Sequence, residues 1–179
     1  LEPYLPTPRV IRDGDEYRIV WHDPQSIGAM RSFFGSFLIL ARAYSYIRGL
    51  GSDGLRHMSD VAVLYANLIR HRLQHAYHLK YDSPSMHEVV FDDQKQNKFD
   101  VHNTDIAKRL LDYGFHPPTM SFPLIVRGAL MIEPTESVGP EEIDAFCVAM
   151  LAIAEEAESD PDIVRSAPHE TPVGRVDEV

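Results

Sequence analysis

The chain has 179 residues, 44% of them apolar, with one cysteine and a formal net charge of −10 at pH 7. That size allows one domain, or one domain with a piece of another, and the apolar share allows a packed core. The acidic balance argues against nucleic-acid or anionic-membrane binding, no apolar run is long enough to span a bilayer, no signal peptide is read, and the lone Cys147 forms no intrachain disulfide, which is compatible with a cytoplasmic setting.

Three prolines in the first eight residues hold the opening extended. Alternating polar and apolar β-formers predict a short strand over 16–21, after an Asp13-Gly14-Asp15 turn. Apolar residues at three- and four-residue spacing predict a long helix over 26–48, with Ser26 as N-cap and Gly49 or Gly51 as the stop. A second helix is expected over 53–74, with Ala62, Tyr65, Leu68, Ile69 and Leu73 as its apolar stripe. Short strands are expected at 77–81 and 87–91, and the polar run DDQKQNKFD reads as a solvated turn. A third helix over 104–113 ends at Gly114, and strand-like segments follow at 124–126 and 129–132 with a bend at Gly128. The last helix is the best delimited. Gly139 is its N-cap, Pro140 its first residue, and Glu141 and Glu142 answer the positive end of its dipole, while Asp160-Pro161 stops it. The tail from Pro161 is expected to be irregular. The order implies an α+β fold, with helices covering one face of a small, mostly antiparallel sheet.

The residues carry few recognisable chemical motifs. His71 and His75 lie four apart on the second helix with His78 close by, but no HExxH pattern accompanies them, and a polar helix end explains them better than a metal site. Cys147 sits on an apolar helix face and reads as a buried structural thiol. Glu133 and Glu136 flank Pro134-Thr135. They could do acid–base work, or the segment could simply approach the next helix as a cap. A Gly-rich phosphate cradle, a GxSxG elbow and a CxxC pair are absent from the sequence.

A resemblance carries further. DYGFH at 112–116, PTMSFP at 118–123 and ALMIEPTES at 129–137 closely resemble the P-protein family of glycine decarboxylases. SIGAMRSFFGSF at 26–37, RAYSYIRGLG at 42–51 and MHEVVF at 86–91 look like the same family, and APHETPVGRVDE at 167–178 resembles the tail of the second subunit of its split, bacterial-type form. Arg127 departs from the pattern, where a proline or neutral residue is expected.

The resemblance implies a fold type I enzyme dependent on pyridoxal phosphate, of which this chain would be the C-terminal portion. Residues 1–25 would be an extended remnant of the large cofactor domain, 26–160 the small α+β domain with its linking helix, and 161–179 an irregular tail. The family decarboxylates glycine and transfers the aminomethyl group to the lipoyl group of a carrier, the H-protein. Its cofactor is held by a lysine in a His-Lys motif. The four lysines here, Lys80, Lys95, Lys98 and Lys108, do not match that motif, so the chain alone is expected to be inactive and to bind no cofactor. His116 and Thr119 are the candidate catalytic residues facing the cofactor cleft, and Ser121, Glu133, Thr135 and Glu136 are weaker candidates. The implied partners are the other P-protein subunit, lipoylated H-protein and glycine. Phe33, Phe34 and Phe37 on the linking helix are expected to drive self-association. Two readings from other classes stand beside this one: a non-catalytic binding or assembly module for the same partners, and a metal-binding domain built on the histidines.

Overall fold

The structure, a computed structural model, describes residues 1–30 and 35–177. The chain forms two compact units, Leu1–Gly51 and Ser52–Val179.

The first unit opens with a 3-10 turn over Glu2–Tyr4, where the sequence predicts an extended entry, closed by Tyr4 N–H on Leu1 O at 2.9 Å, and a hairpin follows. Strands β1 (Arg9–Asp13) and β2 (Glu16–Val20) pair antiparallel with Asp13 opposite Glu16. That register leaves a two-residue loop whose first position is Gly14 at φ 64, the residue type a right-twisted hairpin requires there. Arg9 ties the hairpin to its flank through Asp23 Oδ2 at 2.7 Å. The helix expected from Ser26 starts later. Gly28 (φ 85) and Gly35 (φ 81) are left-handed, so a right-handed helix cannot run through them, and α1 spans Phe37–Leu73. Phe33 and Phe34 lie outside the described residues. At Gly51 (φ 66, ψ −175) the helix is interrupted, where the sequence places a stop between two helices.

The second unit contains the core. Strands β3 (Val89–Asp92), β4 (Thr119–Met120) and β5 (Ala129–Ile132) form an antiparallel sheet in the order β3-β5-β4. The register sets Val89 opposite Ile132 and Phe91 opposite Leu130, which puts four buried apolar side chains on one face. Helices cover that face. Ile69 and Leu73 of α1, Ile106 and Leu110 of α2 (Asn103–Asp112), Met150 and Ile153 of α3 (Pro140–Ser159) and Val164 of α4 (Pro161–Arg165) join the same cluster. The fold is therefore α+β with helices on one face of a small antiparallel sheet. Gly139 and Pro140 begin α3 and Asp160 ends it, as the sequence dictates.

Several local expectations differ. Segment 77–81 makes only a single bridge, His78 to Asp92, because Tyr77 is drawn into the core, where its hydroxyl donates to Met150 O at 2.8 Å. The polar run 92–100 is not a solvated turn. Asp92, Asp93 and Gln96 are buried, a 3-10 helix spans Gln96–Phe99, and Lys95 Nζ caps the end of α1 on the carbonyls of Gln74 (3.1 Å) and His75 (2.7 Å). Segment 124–126 is a turn, closed by Val126 N–H on Pro123 O at 2.9 Å, while the pairing strand is the unexpected β4. The tail begins with α4, and Asp112 Oδ1 accepts the amides of His169 (2.6 Å) and Glu170 (2.8 Å).

Candidate functional site

A cleft of about 450 Å³ opens beside the sheet. The end of α2 builds one wall. Gly114 at φ 81 lets Phe115 N–H reach back to Leu110 O (3.0 Å) and Gly114 N–H to Leu111 O (3.0 Å), which is a Schellman turn. The chain leaves that turn as Phe115-His116-Pro117-Pro118 and enters β4 at Thr119. Two prolines fix φ there, so His116 is presented from a stiff segment. Phe115 stacks edge-on against Phe146 of α3, with ring centroids 5.4 Å apart. The opposite wall is the segment leaving β5, with Glu133, Pro134 and Thr135, together with Glu142 in the first turn of α3.

His116, Thr119, Glu133 and Thr135 therefore line one cleft. Its floor is apolar, from Ile69, Met131, Ile132, Ile143 and Phe146, and its polar groups are one imidazole, two carboxylates and two threonine hydroxyls. His116 is exposed and makes no hydrogen bond or ion pair to any described residue. Thr135 Oγ1 lies 2.7 Å from Ser137 Oγ. An imidazole free of internal partners at the mouth of an apolar-floored cleft can give or take a proton from a bound molecule.

Glu136 lies elsewhere, in an adjoining cleft with Met58, Ser59 and His87 that shares Glu133 and Thr135 as its wall. Ser121 lines a third, polar cleft with Asp92, Asp93, Lys98 and His102. Two residues that line these clefts, Glu142 and His87, are not singled out as site residues by the sequence. Glu142 was accounted for by the helix dipole. His87, whose Nε2 is 3.8 Å from Glu133 Oε1, is brought there by the pairing of Val89 with Ile132, which sequence periodicity does not reveal.

The histidine group disperses. His78 Nδ1 sits 2.8 Å from Asp92 Oδ2, His71 Nδ1 lies 3.4 Å from Gln74 Nε2, and no group of three metal-ligating side chains gathers among the described residues. Cys147 is buried, and burial pushes its thiol up, away from the thiolate form. No helix among the described residues is long and apolar enough to cross a membrane.

Comparison with known proteins agrees with the motifs. The family model described as "Glycine dehydrogenase, C-terminal domain" matches residues 58–169. A protein of Halalkalibacterium halodurans named "Probable glycine dehydrogenase (decarboxylating) subunit 2" is 51% identical over 178 residues, covering 99% of this chain and 36% of the relative. Proteins of the same name from Chlorobium chlorochromatii (52% identical, 99% and 37% covered) and Listeria innocua (49%, 99% and 36%) align equally fully. The chain thus spans little more than a third of the length of these curated relatives. With its helix-covered antiparallel sheet and a family match running from α1 through α4 to His169, the chain belongs to the glycine dehydrogenase C-terminal domain family.

Proposed function

We propose that this chain is the C-terminal part of a glycine dehydrogenase (decarboxylating) of the split P-protein type, a fold type I enzyme that decarboxylates glycine and passes the aminomethyl group to the lipoyl group of the H-protein. In this reading 1–25 ends the large domain, 26–160 is the small domain and 161–179 its tail. The other P-protein subunit is its structural partner, and the cytoplasm, where a lone buried thiol needs no disulfide, is its compartment.

Pyridoxal phosphate would serve the complete enzyme as the electron sink for decarboxylation. The lysines of this chain do not fit its covalent attachment. Lys95 Nζ is spent on two main-chain carbonyls, Lys80 Nζ donates to Ile125 O, Lys98 is exposed on the 3-10 helix, and Lys108 lies along α2. Lys80 and Lys98 are exposed rather than enclosed by apolar groups, the enclosure that makes a lysine nucleophilic. No step through the cofactor is therefore assigned to these residues.

What this chain would supply is a wall of the reaction cleft. The observation that carries the reading is the convergence of His116, Thr119, Glu133 and Thr135 on one apolar-floored cleft, with the His116 ring free of internal partners. The apolar floor suits the hydrocarbon arm of a lipoyl group, and His116 is suited to protonate the thiolate released when that disulfide opens. Thr119 and Thr135 would orient the bound arm by hydrogen bonds. Ser121 and Glu136, in the two other clefts, would act on the same ligands only through neighbouring residues. The exposed Phe37, Leu38, Ile39 and Leu40 on the first part of α1 favour an assembly surface in addition, toward the rest of the enzyme or a second copy.

The test is His116→Ala in a complete two-subunit enzyme carrying this segment. Glycine decarboxylation per folded molecule is expected to fall by at least about tenfold, roughly 1.4 kcal/mol of transition-state stabilisation, with little change in melting temperature. Unchanged turnover with lost stability would retire the catalytic reading of His116.

A further inference from the structure

The polar cleft, about 700 Å³, has an unusual charge arrangement for so acidic a chain. Its floor holds two buried carboxylates, and both are answered internally. Asp92 meets His78 Nδ1 at 2.8 Å and accepts the Gln94 amide at 3.1 Å. Asp93 Oδ2 accepts the first amide of α2, from Asn103, at 2.8 Å, and burial pushes its carboxyl up. Gly128 closes over that carboxylate so tightly that a Cβ there would stand 2.1 Å from Asp93 Oδ1.

The cleft is lined as well by Lys80, Lys98 and Arg127. Among the described residues none of the three has a carboxylate within ion-pair distance. Lys80 donates to the carbonyl of Ile125, two residues before Arg127, so these two cations share a wall, while Lys98 comes from the 3-10 helix.

Ser121 completes the arrangement. It is held at φ 57, a left-handed conformation that costs a non-glycine residue energy and is found preferentially at ligand sites. Its Oγ accepts from Asn103 Nδ2 at 3.1 Å, so its own proton remains to be donated.

We propose that this cleft binds the phosphate group of a small phosphate monoester, with Lys80, Lys98 and Arg127 as its cationic contacts and the Ser121 hydroxyl as a donor. Three cations without a carboxylate partner among the described residues, above an internally satisfied floor, match a dianion better than a single carboxylate, and the cleft has room for the organic part of the ester. This site is separate from the His116 cleft, and the proposal stands whether or not that cleft is catalytic.

The experiment titrates the chain with inorganic phosphate, glycerol 3-phosphate and malonate at constant ionic strength, with chloride as the balancing anion, followed by calorimetry and by amide shifts in NMR. Saturable binding of glycerol 3-phosphate is expected, tighter than that of inorganic phosphate, with shifts concentrated at Asn103, Ser121 and Gly128. Lys98→Ala and Arg127→Ala should each weaken it by about fivefold or more, and the double variant should abolish it. Both side chains are exposed, so the variants should melt like the parent, which circular dichroism checks. Non-saturable shifts, or equal binding by the double variant, would overturn the site. Inorganic phosphate binding as tightly as the ester would overturn the monoester assignment, and malonate binding as tightly would overturn the preference for phosphate.

Discussion

The two units of this chain share one helix in sequence but are held by different physics. In Ser52–Val179 the side chains of Phe91, Leu110, Leu130 and Ile153 are wholly buried, and sheet, helices and α4 meet in one cluster. In Leu1–Gly51 the only buried described residue is Thr7, while Val10, Tyr17, Ile19, Phe37, Leu38 and Ile39 are at least half exposed. The first unit keeps its hairpin through backbone pairing and ion pairs such as the exposed Arg18–Asp13, which contribute little when solvent-accessible. Apolar surface of that kind gains stability only when something covers it.

Single truncations should expose this contrast in equilibrium unfolding by urea. Phe91→Ala removes a fully buried ring beneath the helices and is expected to cost about 3–5 kcal/mol. Leu40→Ala, at 55% exposure, should change stability by less than about 0.5 kcal/mol in the isolated chain. Equal losses at the two positions would mean that the first unit is covered in solution.

A second effect, somewhat smaller, lies where the tail is fastened. Arg109 makes a bidentate pair with Glu156 (2.9 Å to each oxygen) and a third bond to Asp112 at 2.9 Å, and Tyr113 donates to Glu156 at 2.7 Å. The Arg109 bonds hold Glu156 below its ordinary value of 4.5. For Asp112, burial raises, but the Glu170 and His169 amides and Arg109 outweigh it, and the carboxyl lies below 3.8. Both carboxylates are thus more acidic folded than unfolded. Their stabilisation is fully present above about pH 4.5 and fades as pH falls through the lowered folded values. Arg109→Ala should cost about 2–3 kcal/mol at pH 7, because it strands two largely buried carboxylates, and melting curves from pH 7 to 3 should lose part of their acid limb. A variant with the parent's full acid limb would show that the network does not fasten the tail.

The third effect is on association rather than folding. At tens of micromolar the chain is expected to elute in gel filtration above its 20.3 kDa monomer mass. Substituting Phe37→Asp and Leu40→Asp should return it to the monomer position without moving the unfolding midpoint of the second unit. Strictly monomeric elution of the parent chain would remove self-association from the roles of this surface.

The smallest effect concerns exchange rather than energy. Amides of β1 and β2 should exchange with deuterium near the local-opening limit, whereas those of β3 and β5 should be protected toward the global limit. Matching protection in both sheets would dissolve the distinction between the units.

Much of this was present in the residues. The Gly139-Pro140 start and Asp160-Pro161 stop of α3, the Gly114 turn after α2 and the break at Gly51 are local chemistry, set by φ preferences and missing amide donors, and all stand as the sequence implies. The family was legible in the fixed order of DYGFH, PTMSFP and ALMIEPTES, and four of the six singled-out site residues meet in one cleft. What tertiary structure alone decided is long-range. Whether DDQKQNKFD is wet or buried depended on Gly128 and the end of α1 closing over it, and polarity of sequence cannot report such a partner. The pairing of β3 with β5, which brings His87 to Glu133, joins segments some forty residues apart, so no local pattern encodes it. Ser121 left the company of His116 and Thr119 for the same reason: a left-handed backbone at 121, beside the β4–β5 pairing, sends it to the polar cleft.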